Sequence, residues 1–311
     1  MNLPVAKGYR PNGPVPPYPS HQLSSGIESF AADYFSSKPI EGWAYLPIRW
    51  TELAFLYQNQ PLWKKKYLNA TSRKVKALNN YYKSVVRFSN LRVFTIVQHA
   101  CGLNFHKHIN QSDDIFVFAC GGNGDVPLPL LCDKRKAIQY NHNKYLVSFK
   151  GVISHPSNAY PFRECMKEEF SSPDCVIIDT CVDMREDDYI DLMASSEFSL
   201  CPRGYGPTSF RLYEAIEQGS IPVYIHDGNP WLPYQDEIDW NRLAVIVDYK
   251  NISGLYDMLV NMSQSQKTCM LEYAKSIQVR YFTKKGACDY VCRILSNAGG
   301  ESVRDLRKRY Y

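Results

Sequence analysis

One stretch, Ser195–Asp227 (SSEFSLCPRGYGPTSFRLYEAIEQGSIPVYIHD), constrains the fold more than any other part of the chain. It alternates an apolar run (Glu197–Cys201), a glycine-bearing turn (Pro202–Pro207), a helical period (Ser209–Gln218) and a second apolar run (Ile221–Ile225). Thr208 or Ser209 can cap the first turn of the helix, and Gly219 supplies a left-handed stop. Leu212, Ala215, Ile216 and Gly219 recur at helical spacing and so face a sheet. Arg211, Glu214 and Gln218 share the other flank, where no core position requires them. A short continuous apolar run directly after a helix is the pattern of a buried parallel strand. Together these segments make a βαβ unit. Its strand-to-helix turn lies at the carboxyl edge of the sheet, where open α/β sheets bind ligands.

The turn carries chemistry suited to that position. Arg203 and the amides of Gly204–Ser209, at a helix N-terminus, can hold a diphosphate because guanidinium and helix dipole both favour negative charge. Glu214, one turn into the helix, is placed to accept two hydrogen bonds from ribose hydroxyls. A plainer reading of the same residues is a glycine-rich turn with Arg211 and Glu214 paired at the surface.

A resemblance separates the two. CPRGYGPTSFRLYEAIEQGSIPVYI closely resembles the nucleotide-sugar motif of exostosin-like glycosyltransferases, with its P-R-G, S-x-R-x-x-E and G-x-I-P-V segments. The similarity continues through WLPYQDEIDWNRLAVIVD within Pro230–Asp248 and returns in YFTKKGACDYVCRIL at Tyr281–Leu295. The family also has F-x-G at a strand end, then a basic residue at a helix start, and Phe149, Gly151 and Arg163 match. The resemblance implies an inverting transferase of the GT-B fold: α/β, two doubly wound Rossmann-like domains with an interdomain cleft. The family's diphosphate-binding basic residue then falls on Arg203, its motif serine and arginine on Ser209 and Arg211, and its ribose-binding carboxylate on Glu214. With Gly151, Gly204 and Thr208 these form the expected nucleotide-sugar site.

The rest of the chain supports two such domains. After a proline-rich arm at 1–20, Ile27, Phe30, Ala31 and Tyr34 mark an amphipathic helix. Strands are expected at Trp43–Ile48, Arg92–Gln98 and Asp114–Cys120, with a loop after Pro127–Leu131. A polar segment at 133–144 reads as the linker, which gives an acceptor-side domain over residues 1–143 and a nucleotide-sugar domain over residues 144–283. The second domain opens with a strand at Tyr145–Lys150, followed by strands at Val176–Asp179 and Ala244–Val247 around the central motif. The last helix, within residues 284–311, is expected to pack back on the first domain.

Composition bounds the function. At 45% apolar and 22% charged residues the chain is globular, and its net charge of +5 suits an anionic small ligand rather than calling for nucleic acid. No window approaches a membrane span, and the N-terminus lacks the apolar core of a signal peptide. The expectation is a cytoplasmic protein like the compact soluble forms of large viruses and microbes. The ten cysteines would then be reduced thiols, with Cys120, Cys181 and Cys201 buried in apolar runs. The basic tail, Arg304–Arg309, reads as a solvated helix end, with weak membrane-surface contact as the alternative.

Sugar transfer to a hydroxyl needs a base. Glu52 and His99 are the ionisable groups beyond strand ends in the first domain, whereas Asp113 and Asp114 precede their strand and lie at its wrong end. Glu52 is preferred, because Trp50-Thr51-Glu52 follows a Tyr-Leu-Pro-Ile segment that loosely resembles the family. Thr51, Gly121, Gly122, Asp227 and Trp231 are candidate substrate contacts, with Tyr234, Asp236 and Glu237 beside Trp231. Gly121-Gly122-Asn123-Gly124 lacks the spacing of a dinucleotide fingerprint and reads as a loop reaching donor phosphates or acceptor. No D-x-D triplet occurs, and His106, His108, His142 and His155 share no helical face, so no metal and no cofactor beyond the UDP-sugar are expected. The partners are thus a UDP-sugar, UDP-xylose first, and a glycan hydroxyl. The rivals are a non-catalytic glycan-binding or partner subunit of the same fold, and a different nucleotide-binding enzyme sharing only the βαβ logic.

Overall fold

The computed structural model describes residues 26–51, 54, 77, 80, 84, 91–103, 114–132, 144–153, 163–179, 186–228 and 230–310. The chain divides into two compact units: Met1–Asp133 with Thr283–Tyr311, and Lys134–Phe282. Each has a sheet in which every strand pairing is parallel, so the class is α/β.

In the first unit, β1 (Trp43–Tyr45), β2 (Arg92–Val97), β3 (Ile115–Ala119) and β4 (Val126–Pro127) lie in the order β1-β2-β3-β4. RVFTIV and IFVFA are buried almost throughout, as strands covered on both faces must be. Phe35, Phe94 and Phe118 meet edge to face across this core, with centroids 5.1 and 6.3 Å apart. Two sequence expectations change here. The first strand is shorter than Trp43–Ile48: Leu46 N still donates to Phe94 O, but Ile48 N turns back onto Leu46 O around Pro47, which has no N–H to continue the ladder. The order also runs in one direction, so the described strands of this unit show no reversal and are not doubly wound.

Helix α1 (Ile27–Ser37) buries Ile27, Glu28, Ala31 and Phe35, a face rotated from the expected Ile27, Phe30, Ala31 and Tyr34. The C-terminal segment belongs to this unit. Tyr34 OH donates to Asp289 in α7 (Lys284–Asn297) at 2.5 Å, and Trp43 Nε1 donates to Leu295 O at 3.2 Å. Arg307 of α8 (Val303–Arg307) donates through Nε at 2.6 Å to Asp125, whose side chain has no exposed surface, and through Nη2 to Ile115 O at 2.7 Å. The tail is therefore not wholly a solvated basic end, because Arg307 neutralises a buried carboxylate.

The second unit has β5 (Tyr145–Gly151), β6 (Cys175–Asp179), β7 (Ser196–Pro202), β8 (Ile221–His226) and β9 (Val245–Asp248) in the order β6-β5-β7-β8-β9. Here the order does reverse, between β5 and β7, and the carboxyl ends of those two strands flank the switch point at which such sheets bind ligands. Val147, Phe149, Phe198, Leu200 and Val223 fill its core with Met166 of α2 (Cys165–Glu169) and Leu255 and Leu259 of α5 (Leu255–Val260). On the other flank, α3 (Glu186–Ala194) packs on α4 (Phe210–Gln218). The long α6 (Gln264–Tyr281) starts from a capping box of Ser263 and Gln266. No helix among the described residues is long and apolar enough to cross a membrane.

Candidate functional site

The central motif folds as its residues dictate. Ser209 is the N-cap of α4, its side chain accepting from Arg211 N, and Gly219 closes the helix at φ 75°. The turn between β7 and α4 then sits at the switch point. Its geometry is fixed by Arg203, whose amide donates to Ile225 O at 2.9 Å. The guanidinium folds back on its own loop, Nε reaching Gly206 O at 3.2 Å and Nη2 reaching Tyr205 O at 3.0 Å, while Nη1 pairs with Asp227 at 2.5 Å. A second arginine lies beneath. Arg163, 7% exposed, donates to Val152 O at 2.6 Å and to Arg203 O at 2.8 Å, tying the end of β5 to the end of β7.

Not every amide of the turn is available to an anion, since Gly204 N donates to Thr208 O at 3.0 Å. Thr208 itself is 2% exposed, and its hydroxyl has no hydrogen-bond partner among the described residues. A buried hydroxyl without a partner at a helix N-terminus is a ready donor to a bound anion. Gly151, at the end of β5, leaves room for Arg211: a Cβ there would lie 3.0 Å from Arg211 Nη2.

Arg211 and Glu214 are not paired at the surface. Arg211 donates to Lys150 O at 2.9 Å and lies 4.4 Å from the Phe149 ring centroid and 5.2 Å from that of Tyr189. Glu214 is 5% exposed and accepts from Tyr189 OH at 2.7 Å, and Gln218 is also buried. On this flank Tyr189 of α3 meets both Arg211 and Glu214, which a helical pattern inside α4 cannot announce. Burial, together with the bond to Glu214, pushes the Tyr189 phenol well above its usual range, so it stays a proton donor.

Beyond β8, Asp227 serves as the partner of Arg203. Trp231 N donates to Tyr224 OH at 3.1 Å, and that hydroxyl donates to Pro207 O at 2.6 Å, linking the two loops. Tyr234 is 1% exposed, with its hydroxyl on Tyr281 O, so it packs the loop rather than lining a pocket, whereas Asp236 and Glu237 are exposed. Burial raises the Cys201 thiol to about 12 and keeps it protonated.

The carboxyl edge of the first unit is built around a carboxylate that sequence reasoning missed. Glu28, 6% exposed, accepts from Thr51 N at 3.1 Å, from the Thr51 hydroxyl at 2.8 Å and from Gln98 N at 2.8 Å. Its one signal was position, since Glu28 shares a helical stripe with Ala31 and Phe35. Thr51, proposed as a substrate contact, has both its amide and its hydroxyl committed to Glu28. His99 follows Gln98, is 6% exposed and accepts at Nδ1 from Cys101 N at 3.2 Å; burial lowers its pKa, so the ring is neutral near pH 7. Gly121 and Gly122 are buried, and a Cβ on Gly121 would lie 2.6 Å from Gln98 O, so the loop after β3 is pressed against the loop carrying His99. Glu52, Cys181, His106, His108, His142 and His155 lie outside the described residues.

Comparison with known proteins agrees with these motifs. Exostosin-1 homolog of Caenorhabditis elegans is 30% identical over 175 residues, which cover 50% of this chain and 45% of that protein. A probable glycosyltransferase of Arabidopsis thaliana is 36% identical over 92 residues, 30% of this chain and 17% of its own. Exostosin-1 of Drosophila melanogaster is 28% identical over 177 residues, 50% of this chain and 23% of the relative. The chain thus spans less than half the length of these relatives. Among solved structures, the GtfA/B complex superposes with a TM-score of 0.40 at 11% identity, covering 72% of this chain and 48% of that one. A glycotransferase of kitacinnamycin gives 0.36 at 12% identity, covering 82% and 69%. The exostosin GT47 domain matches residues 90–262, more than half of the chain and all of the turn that carries Arg203 with its helix, and the chain belongs to the exostosin GT47 family.

Proposed function

We propose that the protein is an inverting glycosyltransferase of GT-B type, moving a sugar from a UDP-sugar to a glycan hydroxyl. The observation that carries this reading is the switch point of the second unit. There Arg163 donates to Arg203 O, the Thr208 hydroxyl has no hydrogen-bond partner among the described residues at the α4 N-terminus, and Glu214 is buried one turn into the same helix. Cationic and N–H groups in one place suit a diphosphate, and a carboxylate one helical turn away suits a diol. During transfer the same groups would stabilise the charge that develops on the departing diphosphate.

The acceptor proton goes to Glu52 or His99 in this proposal, with Glu52 preferred. His99 is a buried, neutral imidazole whose one acceptor nitrogen, Nδ1, already takes a hydrogen bond from Cys101 N, which makes it the weaker of the two. Removing a general base costs about 10²–10⁴ in rate. Glu52→Gln is expected to lose that much turnover while keeping its affinity for UDP, and His99→Ala to lose less. Near-native turnover of Glu52→Gln at saturating acceptor would remove Glu52 from the role.

The decisive assay follows UDP release from a panel of UDP-sugars, UDP-xylose first, with oligosaccharide acceptors, in excess EDTA and with added manganese. Turnover in EDTA is expected, since the sequence has no D-x-D clamp and the arginines and helix amides can carry the charge. Turnover only with manganese overturns the metal-independent reading. UDP binding without release from any donor favours a non-catalytic partner subunit.

A further inference from the structure

The Glu214 carboxylate, assigned above to the ribose, already holds a hydroxyl. Tyr189 OH donates to its Oε2 at 2.7 Å, and Glu214 is left only 5% exposed. Tyr189 belongs to the first turn of α3, the helix that leads into β7. In a βαβ crossover that turn lies at the carboxyl edge, beside the first turn of α4. The phenol therefore supplies at Glu214 what a ribose would supply, an O–H donor to a buried carboxylate.

We propose that Tyr189 is a gate on the nucleotide site: its hydroxyl satisfies Glu214 when no nucleotide is bound, and is exchanged for ribose hydroxyls when one binds. The inference rests on the ribose assignment of Glu214 and goes beyond it. Two observations support exchange over co-occupancy. First, with Glu214 almost wholly buried, a diol cannot reach both carboxylate oxygens while the phenol stays. Second, a small void lined by Ser148, Phe149, Tyr189, Met193, Ser199 and Arg211 adjoins the ring, so the ring is not held by side chains on every side. The gate also keeps one more donor on a buried carboxylate in the resting protein, where losing a donor is costly. One donor replaces another and no proton need transfer.

The gate makes a prediction of unusual sign. Removing a hydroxyl that bonds only in the free state strengthens binding, whereas loss of a structural or ligand-contacting hydroxyl weakens it. Tyr189→Phe keeps the ring and its place beside Arg211, so the fold is retained. In calorimetry with UDP, Tyr189→Phe should bind about threefold to tenfold more tightly than the wild type, the range one such hydrogen bond carries. Stopped-flow mixing should show the gain mainly as faster association. Glu214→Ala, measured alongside, separates this proposal from the reading beneath it. Weaker binding by Glu214→Ala together with unchanged or weaker binding by Tyr189→Phe overturns the gate and leaves the ribose assignment standing. Unchanged binding by Glu214→Ala overturns both.

Discussion

At the scale of single residues, two positions of the first unit test how tightly its carboxyl edge is built. Gly121 sits where a Cβ would meet Gln98 O at 2.6 Å and Ala100 N at 2.9 Å, both backbone atoms that cannot swing aside. Gly121→Ala is therefore expected to lower stability by about 1–3 kcal/mol, as overpacking does, read from the urea midpoint at constant slope. His99 makes a prediction in pH. Its imidazole is lowered by burial, so below the unfolded value of about 6.5 the unfolded chain binds more protons than the folded one. The stability it contributes is complete above that pH and is lost as the pH falls toward the folded value. His99→Gln should flatten the fall in unfolding free energy between about pH 7.5 and pH 5.5 relative to the wild type. An equally steep fall would show that other groups govern it. The sequence showed that these residues were special but not how. Gly121 was legible as a loop glycine and His99 as an ionisable group past a strand end. Their shared packing joins loops from different strands, a long-range fact that no local pattern carries.

At the scale of elements, α8 offers the clearest test. Arg307 bonds Asp125 through Nε and Nη2 and also holds Ile115 O, and the Asp125 side chain has no exposed surface. Breaking such a pair from one side leaves a buried charge behind, at a cost of about 3–5 kcal/mol. Arg307→Ala should lose that much in chemical denaturation, while Arg304→Ala, on an exposed residue of the same helix, should leave the midpoint unchanged. Equal effects from the two would show that the tail is only a solvated end. The elements themselves were largely readable. α4, with its serine cap and glycine stop, begins one residue from its expected start, and β2, β3, β7 and β8 agree with their runs to within a residue or two, because buried parallel strands are short and uniformly apolar. What could not be read was which flank of an amphipathic helix a neighbouring helix would cover. Glu214 and Gln218 lie on the flank of α4 that no core position required, yet both are buried, Glu214 against Tyr189 of α3. Glu28 was hidden for the converse reason, since a carboxylate on an apolar stripe becomes explicable only once Thr51 and Gln98 supply its donors.

At the largest scale, the two parallel sheets differ in strand order. Only the second shows a reversal of strand order among the described residues, and that reversal gathers Gly151, Arg163, Arg203, Thr208 and Arg211 at one carboxyl edge. We propose that this edge holds a uridine diphosphate with Glu214 on its ribose. The direct measurement is calorimetric titration of UDP into the wild-type protein and into Glu214→Ala, each confirmed as folded by its melting transition. Two buried hydrogen bonds to a charged acceptor are at stake, so the substitution should weaken UDP binding by about 2–3 kcal/mol while inorganic diphosphate, which has no ribose, binds both proteins alike. UDP affinity unchanged by Glu214→Ala, or equal losses for UDP and diphosphate, would rule out Glu214 as the ribose ligand.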